Sequence, residues 1–187
     1  MRTLAITQNI TVDGSIEMLT DWFDPQAQGG ACMGDLLNEQ YRQSSQTDTL
    51  LLGRKTFEAF RGYWPKQNDD TTGITAYLNQ VHKYVVSCSL NNPGWENSIV
   101  LFGDPAEKVA ALKSQAGGKD IVLTGSITLA HTMIDAGLVD EYRLFVYPVV
   151  QGRGRRLFPD GYELPRLRLL DSKAFRSGIT LQRYAPA

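Results

Sequence analysis

The run Thr49-Leu50-Leu51-Leu52-Gly53-Arg54-Lys55-Thr56-Phe57 restricts the fold more than any other stretch, because its apolar segment stops at a glycine and a helical pattern begins at once. Three consecutive leucines suit a strand buried on both faces of a mostly parallel sheet. Gly53 permits the tight turn, and Arg54 and Thr56 then fall in the first helical turn. Unpaired backbone N–H groups and the positive end of the helix dipole favour an anion there. A helix start carrying a surface arginine, with a threonine bonded to its own backbone, is the plain alternative.

The same arrangement recurs in Asp120-Ile121-Val122-Leu123-Thr124-Gly125-Ser126-Ile127-Thr128-Leu129, where a second apolar strand breaks at Gly125 and Ser126 is placed to cap the next helix. If both strands belong to one parallel sheet, both helix N-termini open at its carboxyl edge, where α/β sheets of this kind bind ligands. Two anion sites on one edge point to a dinucleotide. Together with Gly137-Leu138-Val139-Asp140-Glu141 and Pro148-Val149-Val150-Gln151-Gly152-Arg153-Gly154 in that order, these motifs resemble the dihydrofolate-reductase-like superfamily. Within it the likeness is to the reductase domain of the bifunctional riboflavin-biosynthesis deaminase/reductase and its stand-alone relatives.

The resemblance implies one α/β domain over 1–187, a three-layer αβα arrangement with a central, mostly parallel sheet and an antiparallel C-terminal ending. It also implies NADPH as cofactor and a homodimer. Gly53, Arg54, Thr56, Gly125, Ser126, Ile127, Thr128 and Leu129 would hold the cofactor, with Ser87 and Arg54 around the 2′-phosphate that separates NADPH from NADH. Asn9, Ile10 and Thr11, on a first strand read as Leu4–Val12, become candidates for backbone contact with the carboxamide. Ordinary strand residues are the other reading. A cis peptide next to Gly125 is a further expectation from the family.

On the substrate side, Asp13 in the turn Asp13-Gly14 and Tyr147 at a strand end are the candidate catalytic groups, with water as a third proton source. Trp22 lies in an irregular stretch, 15–30, that also holds Phe23, Pro25, Gly29 and Gly30; its rings close over either substrate or core. Asp35, on a helix expected over Cys32–Ser44 with Met33, Leu37 and Tyr41 on its apolar face, is the nearest match to a pterin-binding carboxylate, or else a solvated acid. Phe57 and Trp64 can stack a flat heterocycle or fill the core. The basic run Gly152 to Arg156 reads first as a solvated turn.

A net charge of −1 and two cysteines among 187 residues give no reason to expect nucleic acid, an anionic membrane surface or a disulfide framework. Cys32 and Cys88 read as free thiols, and with no apolar leader or membrane-length run the expected location is the cytoplasm. No metal cluster, Ser-His-Asp set or carboxylate pair can be assembled. Hydride transfer asks little more of a protein than placing a cofactor and excluding water. The sequence therefore favours an NADPH-dependent reductase of a small heterocyclic or carbonyl/imine-bearing substrate. A non-catalytic nucleotide-binding sensor and the riboflavin-pathway reduction of a ribosylaminopyrimidine stay open beside it.

Overall fold

The computed structural model describes residues 1–24, 33–158, 161–163 and 166–187; Pro25, Gly29, Gly30, Cys32 and Leu164 lie outside them. In chain order the elements are β1 (Leu4–Thr11), α1 (Gly34–Ser45), β2 (Thr47–Gly53), α2 (Arg54–Tyr63), a single 3-10 turn (Trp64–Lys66), α3 (Ile74–Gln80), β3 (His82–Val86), β4 (Ser98–Leu101), α4 (Pro105–Ser114), β5 (Asp120–Thr124), α5 (Ile127–Asp135), β6 (Glu141–Tyr147), β7 (Leu167–Ala174) and β8 (Thr180–Pro186).

All eight strands form one sheet in the order β4-β3-β2-β5-β1-β6-β8-β7. Among the described residues β8 alone runs opposite to the other strands, pairing antiparallel with β6 and β7. The sheet is thus mostly parallel with an antiparallel ending, as the apolar central strands and the alternating last ones require. Leu4, Ile6, Leu51, Ile121 and Leu123 pack on one face against Val109 and Leu112 of α4 and Leu129 and Met133 of α5. Ala5, Leu50, Leu52 and Val122 pack on the other against Phe57 of α2 and Leu78 of α3. Two core layers flank the sheet, giving three layers of structure.

Asp104 caps α4, its carboxylate accepting from the Glu107 amide at 2.9 Å with Pro105 at the first position. The face of α1 departs from the sequence reading. Leu36 is buried as expected, but the residues hidden beside it are Glu39 and Gln43, while Tyr41 is 48% exposed. Glu39 is held by Arg42 at 2.5 Å, Gln43 at 3.0 Å and Lys173 of β7 at 3.3 Å, so an ion network helps seat this helix where the spacing predicted the apolar face Met33, Leu37 and Tyr41. Cys88 is a free, exposed thiol. Among the described residues no helix is long and apolar enough to cross a membrane.

Candidate functional site

The two strand-to-helix turns meet. β2 and β5 are neighbours in the sheet, with Leu50 beside Val122 and Leu51 beside Leu123, so their carboxyl ends emerge side by side. The Gly53 amide donates to Ser126 Oγ at 2.9 Å, and the Ser126 amide donates to Thr56 Oγ1 at 2.9 Å. Each turn thereby supplies the hydroxyl that satisfies the other's backbone. Ser126 does not cap its own helix as the sequence suggested; its hydroxyl crosses to the opposite turn.

No cis peptide occurs among the described residues, which corrects the expectation at Gly125. The reversal is made instead by two consecutive left-handed residues, Gly125 at φ 57° and Ser126 at φ 48°. A Cβ built on Gly125 would lie 2.9 Å from Thr56 Cγ2, so the close approach of the two turns requires glycine there. Gln8, a polar residue inside central strand β1, donates through Nε2 to the Gly125 carbonyl at 2.7 Å and fixes the turn from below.

These turns open on a cavity of about 870 Å³. Gly53 at the end of β2, Arg54 and Thr56 of α2, Gly125 and Ser126 of the second turn, Ile127 to Leu129 of α5 and Asn9 of β1 line it. Neither α2 nor α5 has an acidic residue in its first turn or a side-chain cap, so the amides there are available to an anion. Arg54 is half-exposed at the cavity wall and pairs with Glu58 one turn on, at 3.0 Å.

Other expected residues fall elsewhere. Ile10 belongs to the core on the opposite face of the sheet. Thr11 is buried, its hydroxyl engaged with Asp13 at 2.6 Å and with the Ser15 amide at 2.9 Å. Ser87 accepts from the amides of Ser89 and Leu90 at 3.1 and 3.0 Å, a local turn, and is not part of the cavity wall. Phe57 is fully buried between the sheet, Trp95 and Arg61, so its ring is core and not a stacking platform. Trp64 is nearly buried but does line the cavity.

Asp13 lies outside this cavity, beside a smaller recess formed with Gly152 to Arg156. Its carboxylate accepts from the Thr11 hydroxyl, the Gln151 amide at 3.1 Å and the Gly152 amide at 2.7 Å, and these bonds lower its pKa to about 2. These bonds tie the β1 turn to the loop after β6 and keep the carboxylate in its ionised, accepting form. Tyr147 is buried beneath Trp22 and Phe23, which meet it edge-on at 5.2 and 5.8 Å, so the two rings close over a tyrosine. Asp35 accepts from the amides of Leu36 at 2.9 Å and Arg176 at 3.0 Å, fastening α1 to the β7–β8 hairpin away from the cavity.

The sequence reading missed Gln8, Glu17, Gln40 and Arg143. Glu17 pairs with Arg155 at 2.8 Å, and both line the cavity. Arg143, in the middle of β6, also lines it while remaining almost wholly hidden. Burial pulls its pKa down, but bonds to Glu141 and Asp120 more than offset that and hold it raised. Two charged residues, Glu141 and Arg143, in the first half of a strand that is otherwise apolar and aromatic were the available signal. Among the described residues no group of three His, Cys, Asp or Glu could hold a metal ion.

The sequence model of the RibD C-terminal domain family matches residues 2–181. The chain is 36% identical over 188 residues to the uncharacterized protein YyaP of Bacillus subtilis (strain 168), covering 95% of this chain and 92% of that protein. It is 28% identical over 170 residues to the uncharacterized protein YwjB of the same organism, covering 90% and 86%. A solved structure from Shewanella sp. PV-4, described as a riboflavin biosynthesis protein, superposes with a TM-score of 0.70 at 16% identity over 99% of both chains. A pyrimidine reductase-like protein from Corynebacterium diphtheriae superposes with a TM-score of 0.66 at 16% identity, over 100% of this chain and 92% of that one.

Proposed function

The chain belongs to the RibD C-terminal domain family, and from that membership we propose that it is an NADPH-dependent reductase of a small heterocyclic or carbonyl/imine-bearing substrate. The observation that carries the reading is the pair of reciprocally bonded turns, Gly53–Thr56 and Gly125–Ser126, opening together on one large cavity. The residues fit the cofactor: a glycine where a Cβ would collide, two uncapped helix N-termini without acidic first turns, and an arginine at the wall.

When bound, a reduced nicotinamide supplies the hydride. The protein's part is placement. First-turn amides of α2 and α5 hold the diphosphate, and Gln8 keeps the Gly125 turn in position to offer them. Arg54 exchanges its surface pair with Glu58 for the 2′-phosphate, a charge-assisted contact that NADH lacks. Asn9 lines the same cavity, where it would meet the carboxamide, and Leu50, Trp64 and Phe145 on the apolar wall would exclude water. With Asp13 ionised and not part of the cavity wall, and Glu17 also held below the usual glutamate range by Arg155, the proton would come from solvent.

The test is cofactor discrimination. Arg54→Ala should weaken NADPH binding roughly tenfold or more, for a charge-assisted bond of about 1.5–3 kcal/mol, and leave NADH nearly unchanged in a fluorescence titration. Equal losses for both nucleotides would contradict the assignment. In this reading the molecule works as a homodimer in the cytoplasm.

A further inference from the structure

The basic loop after β6, a plain solvated turn by its sequence, is built as one wall of a second recess. Gly152 to Arg156, with Asp13, Ser15 and His131 of α5, enclose about 440 Å³, and among the described residues Arg155 alone lines both this recess and the large cavity. The loop is braced from several sides. Gln151 donates through Nε2 to Ser15 Oγ at 2.8 Å and to the carbonyls of Glu17 at 3.0 Å and Arg153 at 2.9 Å. Asp13 accepts from the Gln151 and Gly152 amides, and Glu17 accepts from the Arg155 amide and guanidinium. Gly154 comes so close to this frame that a Cβ there would lie 2.6 Å from Ser15 Oγ.

The bracing leaves donors over. The amides of Arg153 and Gly154 and the guanidinium of Arg153 have no protein acceptor among the described residues. Ser15 is 2% exposed, and its hydroxyl is used only to accept from Gln151, so its own proton is not donated within the protein. A buried hydroxyl ordinarily does donate. The acceptors nearby are already engaged: Asp13 by Thr11, Gln151 and Gly152, Glu17 by Arg155, and the Arg156 carbonyl by His131 Nε2 at 3.0 Å. Arg153, Arg155 and Arg156 stand beside only two carboxylates, Asp13 and Glu17, so the charge left over is positive. Successive backbone amides in such a turn form an anion-binding concavity. A planar carboxylate offers two oxygens, whereas a phosphate offers three outer oxygens and more charge, which suits a guanidinium, two amides and a hydroxyl together.

We propose that this recess is a phosphate-binding site, in which the Arg153 guanidinium, the Arg153 and Gly154 amides and the Ser15 hydroxyl take the oxygens of free phosphate or of a phosphate monoester. The site needs no nucleotide in the cavity and stands apart from the reductase reading. Because Arg155 belongs to both walls, the phosphate comes either with a separate small molecule or as an arm of a molecule whose body lies in the cavity.

The two histidines provide the readout, since His131 lines the recess and His82 sits at the amino end of β3. Inorganic phosphate titrated into the whole chain at fixed pH and ionic strength should move the His131 ring resonances and leave those of His82 in place, with half-saturation at millimolar concentration or below. Acetate should bind at least tenfold more weakly. Arg153→Gln should weaken phosphate roughly tenfold, the loss of one charge-assisted bond, whereas Arg168→Gln, at an exposed position on β7, should change nothing. No movement of His131 at tens of millimolar phosphate, equal movement of both histidines, acetate binding as well as phosphate, or full affinity in Arg153→Gln overturns the site. 1-Naphthyl phosphate separates the two sources, and either result supports the site. If it moves the methyl resonance of Met18 in the cavity wall where inorganic phosphate does not, the recess serves an arm; if it acts as inorganic phosphate does, the recess serves a separate ligand.

Discussion

Ser126 holds a backbone conformation that a side chain disfavours, with φ 48° and ψ 50°, and does so at the point where two distant turns touch. A left-handed residue with a Cβ costs roughly 1–2 kcal/mol, offset here by a hydroxyl that accepts from Gly53 and an amide that donates to Thr56. The balance predicts an order of variants. Ser126→Ala keeps the strain and loses the bond, so it should lower stability by about 1–2 kcal/mol; Ser126→Gly loses the bond but relieves the strain, so it should be the milder change. Thermal or urea unfolding of the two proteins checks this, and a glycine variant less stable than the alanine one would contradict the role given to the serine. In the proposed reading Arg54 would contribute at the same scale, through a phosphate that only one of two nucleotides carries.

Among the elements, α1 shows how far local pattern reaches. β2 with α2 and β5 with α5 were legible because most of their buried residues are apolar and a glycine marks each strand-to-helix turn. The inward face of α1 was not, since Glu39 is stabilised by Lys173 on β7, far along the chain, and periodicity sees only neighbours. Arg143 and the crossing hydroxyl of Ser126 escaped for the same reason: their partners are set by the sheet order. Asp13 and Asp35 were candidates for ligand-facing acids because the family resemblance puts carboxylates there, with a solvated acid as the other reading of Asp35; both accept from backbone amides of other elements. Burial raises the pKa of Glu39, but its bonds to Arg42, Gln43 and Lys173 outweigh that and bring it to about 2. Below its unfolded value near 4.5 the unfolded chain binds the proton first. The α1–β7 contact therefore contributes fully above about pH 4.5, and its contribution is lost as pH falls towards 2. Glu39→Gln should cost roughly 1–3 kcal/mol at neutral pH and flatten the stability profile across that acid window; an unchanged acid limb in urea titrations would contradict the network.

Over the whole molecule, the sheet ends in β7, an edge strand whose residues are largely exposed, with Leu169 at 54% and Leu170 also bare. Edge strands of this kind are ordinarily blunted or covered. The homodimer we propose would cover it, so light scattering at micromolar concentration should give twice the chain mass, and Leu169→Lys should shift it to one; a monomeric wild-type chain would contradict this. The account as a whole depends on β2–α2 and β5–α5 acting as one grip, although some seventy residues separate them. Amide hydrogen exchange followed during an NADPH titration tests that most directly. The account predicts that the segments 53–57 and 125–129 gain protection together, with the same half-saturation. Protection of one segment without the other, or of neither at saturating nucleotide, would contradict it.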